Sequence, residues 1–160
     1  MAKNRIPTTQ AIRALEKGGV DFSMHSYEYK EEGGTSRASQ ALNVDEGLVI
    51  KTLVMERKKG DPFFILMHGD RNVSTKTLAR VLGAKKIRPC DPQEAERHTG
   101  YFVGGISPFG SKKSLEVFVE ESIMDLSEIY INAGKRGLLA KISPKDMARI
   151  LDPTPVKAAV

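Results

Sequence analysis

Two apolar runs joined by Lys58-Lys59-Gly60-Asp61 constrain the fold more than any other part of the chain. Over residues 48–56 the pattern has period two, with Leu48, Ile50, Thr52 and Val54 on one face and Val49, Lys51, Leu53 and Met55 on the other. That is the repeat of an extended strand, here with both faces mainly apolar. The Lys-Lys-Gly-Asp step has the chemistry of a hairpin turn and returns the chain into a second strand over 63–67.

Around this hairpin, Pro7-Thr8-Thr9 leads into Ala11, Ile12 and Leu15 at helical spacing, and Gly18-Gly19 ends the run, so a short capped helix is expected over 9–17. Residues 22–29 alternate as a strand, Phe22 and Met24 on one face and His25, Tyr27 and Tyr29 on the other. A polar loop is expected over 30–37, with helix over 38–42. Further helices are expected over 74–82, closed by Gly83, over 92–98 behind an Asp91 cap and Pro92, and over 144–151 behind Ser143 and Pro144. Short strands fit 86–88, 115–119, 128–132 and 138–142, the last two joined by Gly134-Lys135-Arg136-Gly137. Strands outnumber helices in no regular βαβ order, which predicts an α+β fold: a mixed β-sheet or barrel with peripheral helices. The 160 residues suit one domain, ordered from about 8 to 151, with a frayed tail over 152–160 that holds two prolines.

Apolar residues are 40% and charged residues 28%, enough for one real core and incompatible with a disordered or collagen-like chain. No window approaches the roughly 18 consecutive apolar residues of a membrane span, and the first residues carry no hydrophobic stretch, so no membrane partner and a cytoplasmic location are expected. Cys90 is the single cysteine and has no disulfide partner in the chain. His25, His68 and His98 lack the spacing of a ligand set, so no metal is expected. A net charge of +5 favours a polyanionic partner without requiring one. With no tryptophan and 6% aromatic residues, a long base-stacking surface is not expected.

Lys51 is the first anomaly, a cation between Val49 and Leu53 on an apolar strand face. Either the strand lies at an edge and the ammonium snorkels out, or it reaches into a cavity and grips a phosphate, carboxylate or carbonyl oxygen. The second anomaly is Gly104-Gly105-Ile106-Ser107-Pro108-Phe109-Gly110, where glycines allow close backbone approach and Pro108 stiffens the loop. Such a loop holds a phosphate or an oxyanion, or is a plain sharp turn. It misses the nucleotide-triphosphate loop because Ser111-Lys112 is in reverse order. Cys90 reads as a small buried hydrophobe rather than a nucleophile paired with His98, and Ser107 has no elbow motif around it. Lys135-Arg136 reads as a solvated hairpin tip or a phosphate contact.

Ile50-Lys51-Thr52-Leu53, Leu82-Gly83-Ala84-Lys85-Lys86, Asp91-Pro92, Thr99-Gly100-Tyr101, Gly104 to Pro108 and Gly134 to Gly137 fall in order between about residues 10 and 151. Together they resemble the YbaK/EbsC family of freestanding aminoacyl-tRNA deacylases, related to the editing domain inserted in bacterial prolyl-tRNA synthetase. The resemblance implies the YbaK/prolyl-tRNA synthetase-associated domain fold and a substrate of mischarged tRNA held by its 3′-aminoacyl end. It implies prolyl-tRNA synthetase as a partner, with no cofactor and no DNA. It makes Lys51 the essential lysine, Gly104 to Pro108 the substrate loop, and Tyr27 and Thr52 pocket-lining residues; with the loop amides read as oxyanion donors, catalysis is expected from Lys51, Gly104 and Gly105, and substrate binding from Tyr27, Thr52, Ile106, Ser107, Pro108, Asn132, Gly134, Lys135 and Arg136. The subgroup it resembles most acts on Cys-tRNA(Pro), where the substrate thiol attacks its own ester and leaves as a thiolactone. Gly33-Gly34, Asn132-Ala133 and Leu139 depart from residues that some members carry. The alternatives are a water-using deacylase for another small amino acid such as alanine, a non-catalytic adaptor for tRNA or a synthetase, and a Schiff-base lysine enzyme.

Overall fold

In the computed structural model, which describes residues 8–160, the chain runs α1 (Gln10–Lys17), β1 (Phe22–Ser26), α2 (Gly34–Leu42), β2 (Val49–Glu56), β3 (Pro62–His68), α3 (Thr75–Leu82), β4 (Arg88–Pro89), α4 (Pro92–Thr99), β5 (Val117–Glu120), β6 (Ile129–Lys135), β7 (Leu138–Ile142), α5 (Pro144–Leu151) and β8 (Thr154–Val156). Pro7, which opens the first helix signal, lies outside the described residues.

The caps expected for α1 and α5 form, the Thr9 and Ser143 hydroxyls accepting from the N–H groups of Ile12 and Asp146, and Ser74, expected inside its helix, instead caps α3 by accepting from the Thr77 N–H. Gly83 and Gly100 close α3 and α4 in the left-handed conformation. Asp91 departs from expectation, because its side chain makes no cap hydrogen bond and Pro92 alone starts α4. Helix α2 begins at Gly34, inside the expected 30–37 loop, and has no side-chain cap of its own. Tertiary contact holds it instead, the Thr35 hydroxyl lying 2.7 Å from Glu46 Oε2 and 3.0 Å from the Gly69 carbonyl. Strand β1 ends at Ser26, earlier than the alternation suggests, and Tyr27 keeps one bond, its N–H to the Gly137 carbonyl at 2.9 Å.

The strands form one mixed sheet in the order β1-β7-β6-β2-β3-β5-β8, with β4 added against β2. The hairpin β2/β3 is antiparallel from Ile50 opposite His68 to Glu56 opposite Pro62, whereas β2/β6, β3/β5 and β5/β8 are parallel. The order leaves β1 and β8 at the two ends, so the sheet alternative is realised and the barrel is not. One face packs α1, α4 and α5 through Leu15, Ala95 and Met147 onto Ile50, Val54, Phe64 and Leu66. The other face is split into an α3 cluster with Met55, Phe63 and Ile65, and an α2 cluster with Val49, Tyr130 and Leu139. Among the described residues no helix is long and apolar enough to cross a membrane.

The tail is not frayed, which corrects the expectation for 152–160. Strand β8 pairs parallel with β5, Phe118 opposite Thr154 through Glu120 opposite Val156. Buried Glu120 accepts from the N–H groups of Ala158 (2.7 Å) and Ala159 (3.0 Å), and Val156 and Ala158 are buried in the α3 cluster. Prolines do not prevent this, because an edge strand has one side with no ladder to feed. Glu120→Ala leaves two inward N–H groups without an acceptor and is expected to cost about 1–3 kcal/mol. Urea unfolding measures the loss, and an unchanged midpoint would show that the carboxylate does not hold the tail.

Candidate functional site

The middle of β2 has no strand beside it on one side. Strand β6 pairs with β2 only at Val49–Tyr130 and Ile50–Ile131, and β4 pairs only at Met55–Pro89 and Glu56–Arg88. Residues 51–53 therefore face a gap in the sheet, closed at its far end where the Val54 carbonyl accepts from the Cys90 N–H at 3.0 Å, and a cleft of about 740 Å³ opens there. The cause lies in β6, whose register against β7 slips between Asn132 and Lys135. A bulge of this kind bends its strand and ends regular pairing. Asn132 fastens it, since its Oδ1 accepts from the N–H groups of Gly134 (2.7 Å) and Lys135 (3.2 Å) while its Nδ2 donates to the Lys135 carbonyl (3.1 Å).

The glycine loop closes the cleft from the far side. Asn132 Nδ2 also donates to the Gly104 carbonyl at 3.3 Å, and Arg136 Nε donates to the Val103 carbonyl at 2.8 Å. Glycine is required at two points. Gly104 has φ +93°, and a Cβ there would collide with the Tyr29 hydroxyl. A Cβ on Gly105 would lie 2.8 Å from the Arg136 backbone nitrogen, so loop and hairpin turn meet backbone to backbone. The Gly105 N–H is already committed to the Phe102 carbonyl at 2.8 Å. The Gly104 N–H has no partner among the described residues.

Lys51 sits in an interior strand, which overturns the edge alternative for it. It occupies the seam between the α2 cluster, which holds Val49, and the α3 cluster, which holds Met55. It joins no ion pair among the described residues. Burial lowers the pKa of its ammonium, while the charges of Glu46 and Asp70 work the other way. On the opposite face of the strand, Thr52 Oγ1 is buried without a hydrogen-bond partner among the described residues.

Cys90 lines the cleft, and its thiol is 4.0 Å from Glu56 Oε2, a carboxylate held by Arg88 Nε at 2.9 Å. Burial and then the Glu56 charge push the thiol pKa up, which suppresses the thiolate. His98 is not its base, because the buried ring has Nδ1 3.1 Å from Lys113 Nζ, and burial and then Lys113 lower its pKa. His68 lies between the Gly47 carbonyl and Ser122, and His25 beside Ser23. Among the described residues no group of three or more His, Cys, Asp or Glu side chains is arranged to hold a metal.

Of the residues singled out in the sequence, Tyr27, Lys51, Thr52, Gly104, Ile106 and Asn132 border the cleft together. Ser107 and Pro108 are buried away from it, Ser107 Oγ accepting from the Phe109 N–H at 3.2 Å. Gly105 supports the loop from behind, Gly134 lies in the bulge, and Lys135 and Arg136 are exposed at the hairpin tip. Tyr29, Thr35 and Val103, which carry no motif signal of their own, also border the cleft. Tyr29 shares the alternation that marked Tyr27, whereas Thr35 was hidden by the missing helix signal.

The sequence profile described as the aminoacyl-tRNA editing domain matches residues 31–150. A protein of Enterococcus faecalis, named as a candidate Cys-tRNA(Pro)/Cys-tRNA(Cys) deacylase EbsC, is 30% identical over 147 residues, covering 91% of this chain and 90% of its own length. A proline–tRNA ligase of Brachyspira hyodysenteriae is 26% identical over 94 residues, 59% of this chain but 16% of the ligase. A solved structure described as a candidate trans-editing enzyme for prolyl tRNA synthetase superposes with TM-score 0.81 over 97% of this chain and 99% of its own, at 22% identity. That likeness establishes the shared fold.

Gly104→Ala places an L-residue at a left-handed φ and pushes a methyl at Tyr29. The expected cost is about 1–3 kcal/mol, read by urea unfolding; wild-type stability would contradict the loop geometry.

Proposed function

The chain belongs to the aminoacyl-tRNA editing domain family, and on that premise we propose that it deacylates mischarged tRNA in trans, with Cys-tRNA(Pro) as its substrate. The carrying observation is Lys51, which joins no ion pair among the described residues, at a gap of the sheet in a cleft it shares with Gly104 of the glycine loop, with no activated nucleophile among the described residues. An aminoacyl ester is already an activated acyl group, so charge and positioning are the help it needs. The Lys51 ammonium would hold either the terminal phosphate or the reacting carbonyl, and the Gly104 N–H would donate to the developing oxyanion. One such donor contributes about 2.7–4 kcal/mol in hydrolases.

The attacking group is the substrate's own thiol. Its sulfur bonds to the ester carbonyl carbon, the bond from that carbon to the ribose oxygen breaks, and the thiol proton ends on the ribose hydroxyl. The products are a cyclic thiolactone and free tRNA, and the protein supplies the near-attack geometry. The net charge of +5 supports only modest, salt-sensitive attraction to tRNA. Recruitment by prolyl-tRNA synthetase in the cytoplasm would supply the remaining tRNA selectivity.

Lys51→Ala should lower deacylation of cysteinyl-tRNA(Pro) at least 100-fold while the thermal midpoint stays near that of wild type, because the ammonium serves the cleft and not the core. Full activity in the folded variant would remove Lys51 from the mechanism, and joint loss of activity and fold would make it structural.

The substrate tests the nucleophile. A thiol, with a reference pKa of about 8.5, is far more ionised at neutral pH than an alcohol, so cysteinyl-tRNA should be cleaved at least 100-fold faster than seryl-tRNA, which differs by one atom. Equal rates, or brisk cleavage of alanyl-tRNA, would instead indicate attack by water.

A further inference from the structure

Beside the cleft mouth the fold holds a phenylalanine out in water. Phe102 is 73% exposed and its neighbour Val103, which borders the cleft, is 39% exposed. Exposing a large apolar ring has a cost, and here the exposure is built in rather than incidental. The Val103 N–H donates to Glu96 Oε2 at 2.9 Å, and the Val103 carbonyl accepts from Arg136 Nε at 2.8 Å. The Gly105 N–H closes the turn onto the Phe102 carbonyl at 2.8 Å. Ionised partners make the stronger hydrogen bonds, so the backbone that carries Phe102 is clamped from α4 on one side and from the hairpin tip on the other. Arg136 is itself braced, its guanidinium standing 5.4 Å from the centroid of the Tyr29 ring.

We propose that Phe102 is a stacking platform for the base of the nucleotide next to the aminoacylated terminal nucleoside. The proposal rests on the deacylase reading for its substrate: if the cleft takes the terminal aminoacyl nucleoside, the next base emerges at the rim where residues 102–104 stand. A rigid aromatic beside a cationic hairpin tip matches single-stranded RNA, which presents flat bases along a phosphate chain. A protein partner fits less well. Besides Phe102 and Val103, the other exposed large hydrophobics among the described residues are Val81 and Val160, on α3 and at the end of the tail. Phe102 and Val103 by themselves are smaller than the broad apolar patch that a protein contact uses. One platform also agrees with the low aromatic content, since it grips a single base without reading a long strand.

The test measures KM and kcat separately for Phe102→Ala, Phe102→Leu and Phe102→Tyr on cysteinyl-tRNA(Pro), and on a cysteinylated minihelix that is abasic at the penultimate position. In parallel, anisotropy measures binding of an uncharged, fluorescently labelled RNA ending in C-C-A. Stacking predicts that alanine and leucine raise KM and weaken C-C-A binding about tenfold or more, tyrosine retains both, and kcat changes little. On the abasic minihelix wild type should already be weakened, with no further loss from Phe102→Ala. Unchanged KM and binding in Phe102→Ala would overturn the proposal, as would an equal penalty on the abasic substrate. A defect seen only when prolyl-tRNA synthetase is added would make the ring a protein contact and also overturn it. If wild type cleaves no aminoacyl-tRNA, the deacylase reading fails on its own, and the C-C-A binding series still decides whether Phe102 stacks on RNA.

Discussion

The parting of β6 from β2 after two paired residues is the constraint on which the site depends. A strand in the interior of a sheet normally has both edges occupied, and its side chains are sorted strictly onto two faces. Here residues 51–53 have β3 on one edge and the cleft on the other. Side chains from both faces therefore border one space, Lys51 and Leu53 from one and Thr52 and Val54 from the other. The open edge lets a desolvated cation and an unpartnered hydroxyl share a cavity although they point to opposite sides of the sheet. Asn132 maintains the gap by holding the β6 bulge on one side and the Gly104 carbonyl on the other.

That arrangement divides the glycines into separate tasks. Gly105 is small so that the loop can rest on the backbone of the hairpin tip, and Gly137 is small because a Cβ would lie 2.5 Å from the Tyr27 carbonyl. Both set the width of the cleft without bordering it. Gly104 borders the cleft and has the left-handed backbone that leaves its amide uncommitted. Ser107 and Phe109 anchor the far end of the loop, with Tyr101, whose hydroxyl donates to the Phe109 carbonyl at 2.6 Å and whose pKa burial pushes up to about 12. A neutral, buried phenol of this kind keeps its proton and its hydrogen bond across the whole working range of pH.

What could be read from the sequence was what local chemistry decides. The Lys58–Asp61 turn, the Thr9 and Ser143 caps, the strand at 138–142 and the helix at 144–151 carry their signals within a few residues, and the structure has them there. Elements held by distant partners carry weaker or displaced local signals. Helix α2 starts where Glu46 and Gly69 receive Thr35, the strand expected at 86–88 sits at 88–89 where Met55 and Glu56 accept it, and the tail docks because Glu120 meets two amides. Lys51 stood out as a cation in an apolar pattern, yet the pattern alone could not separate an edge strand from an interior strand with an open edge. The deciding feature was the bulge at 132–135, some eighty residues away in sequence.

The electrostatics of the cleft favour one thiol over another. Cys90 sits against Glu56 and is buried, and both effects keep its proton on. Lys51 joins no ion pair among the described residues, and the charges of Glu46 and Asp70 help it keep its charge against the desolvation that opposes it. A thiol delivered by the substrate near that ammonium would experience the reverse of what Cys90 experiences, because a nearby cation stabilises a thiolate. The same low-dielectric surroundings strengthen both influences. On the proposed reading, the cleft would hold its own sulfur inert while favouring ionisation of the sulfur on a cysteinyl ester. That difference needs no catalytic base, and it agrees with a site in which His98 is turned to Lys113 and the remaining histidines have partners elsewhere. Selectivity for a cysteinyl group would then come from reactivity as much as from fit: a hydroxyl of similar size can occupy the same space, but the ammonium cannot bring its far higher pKa within reach.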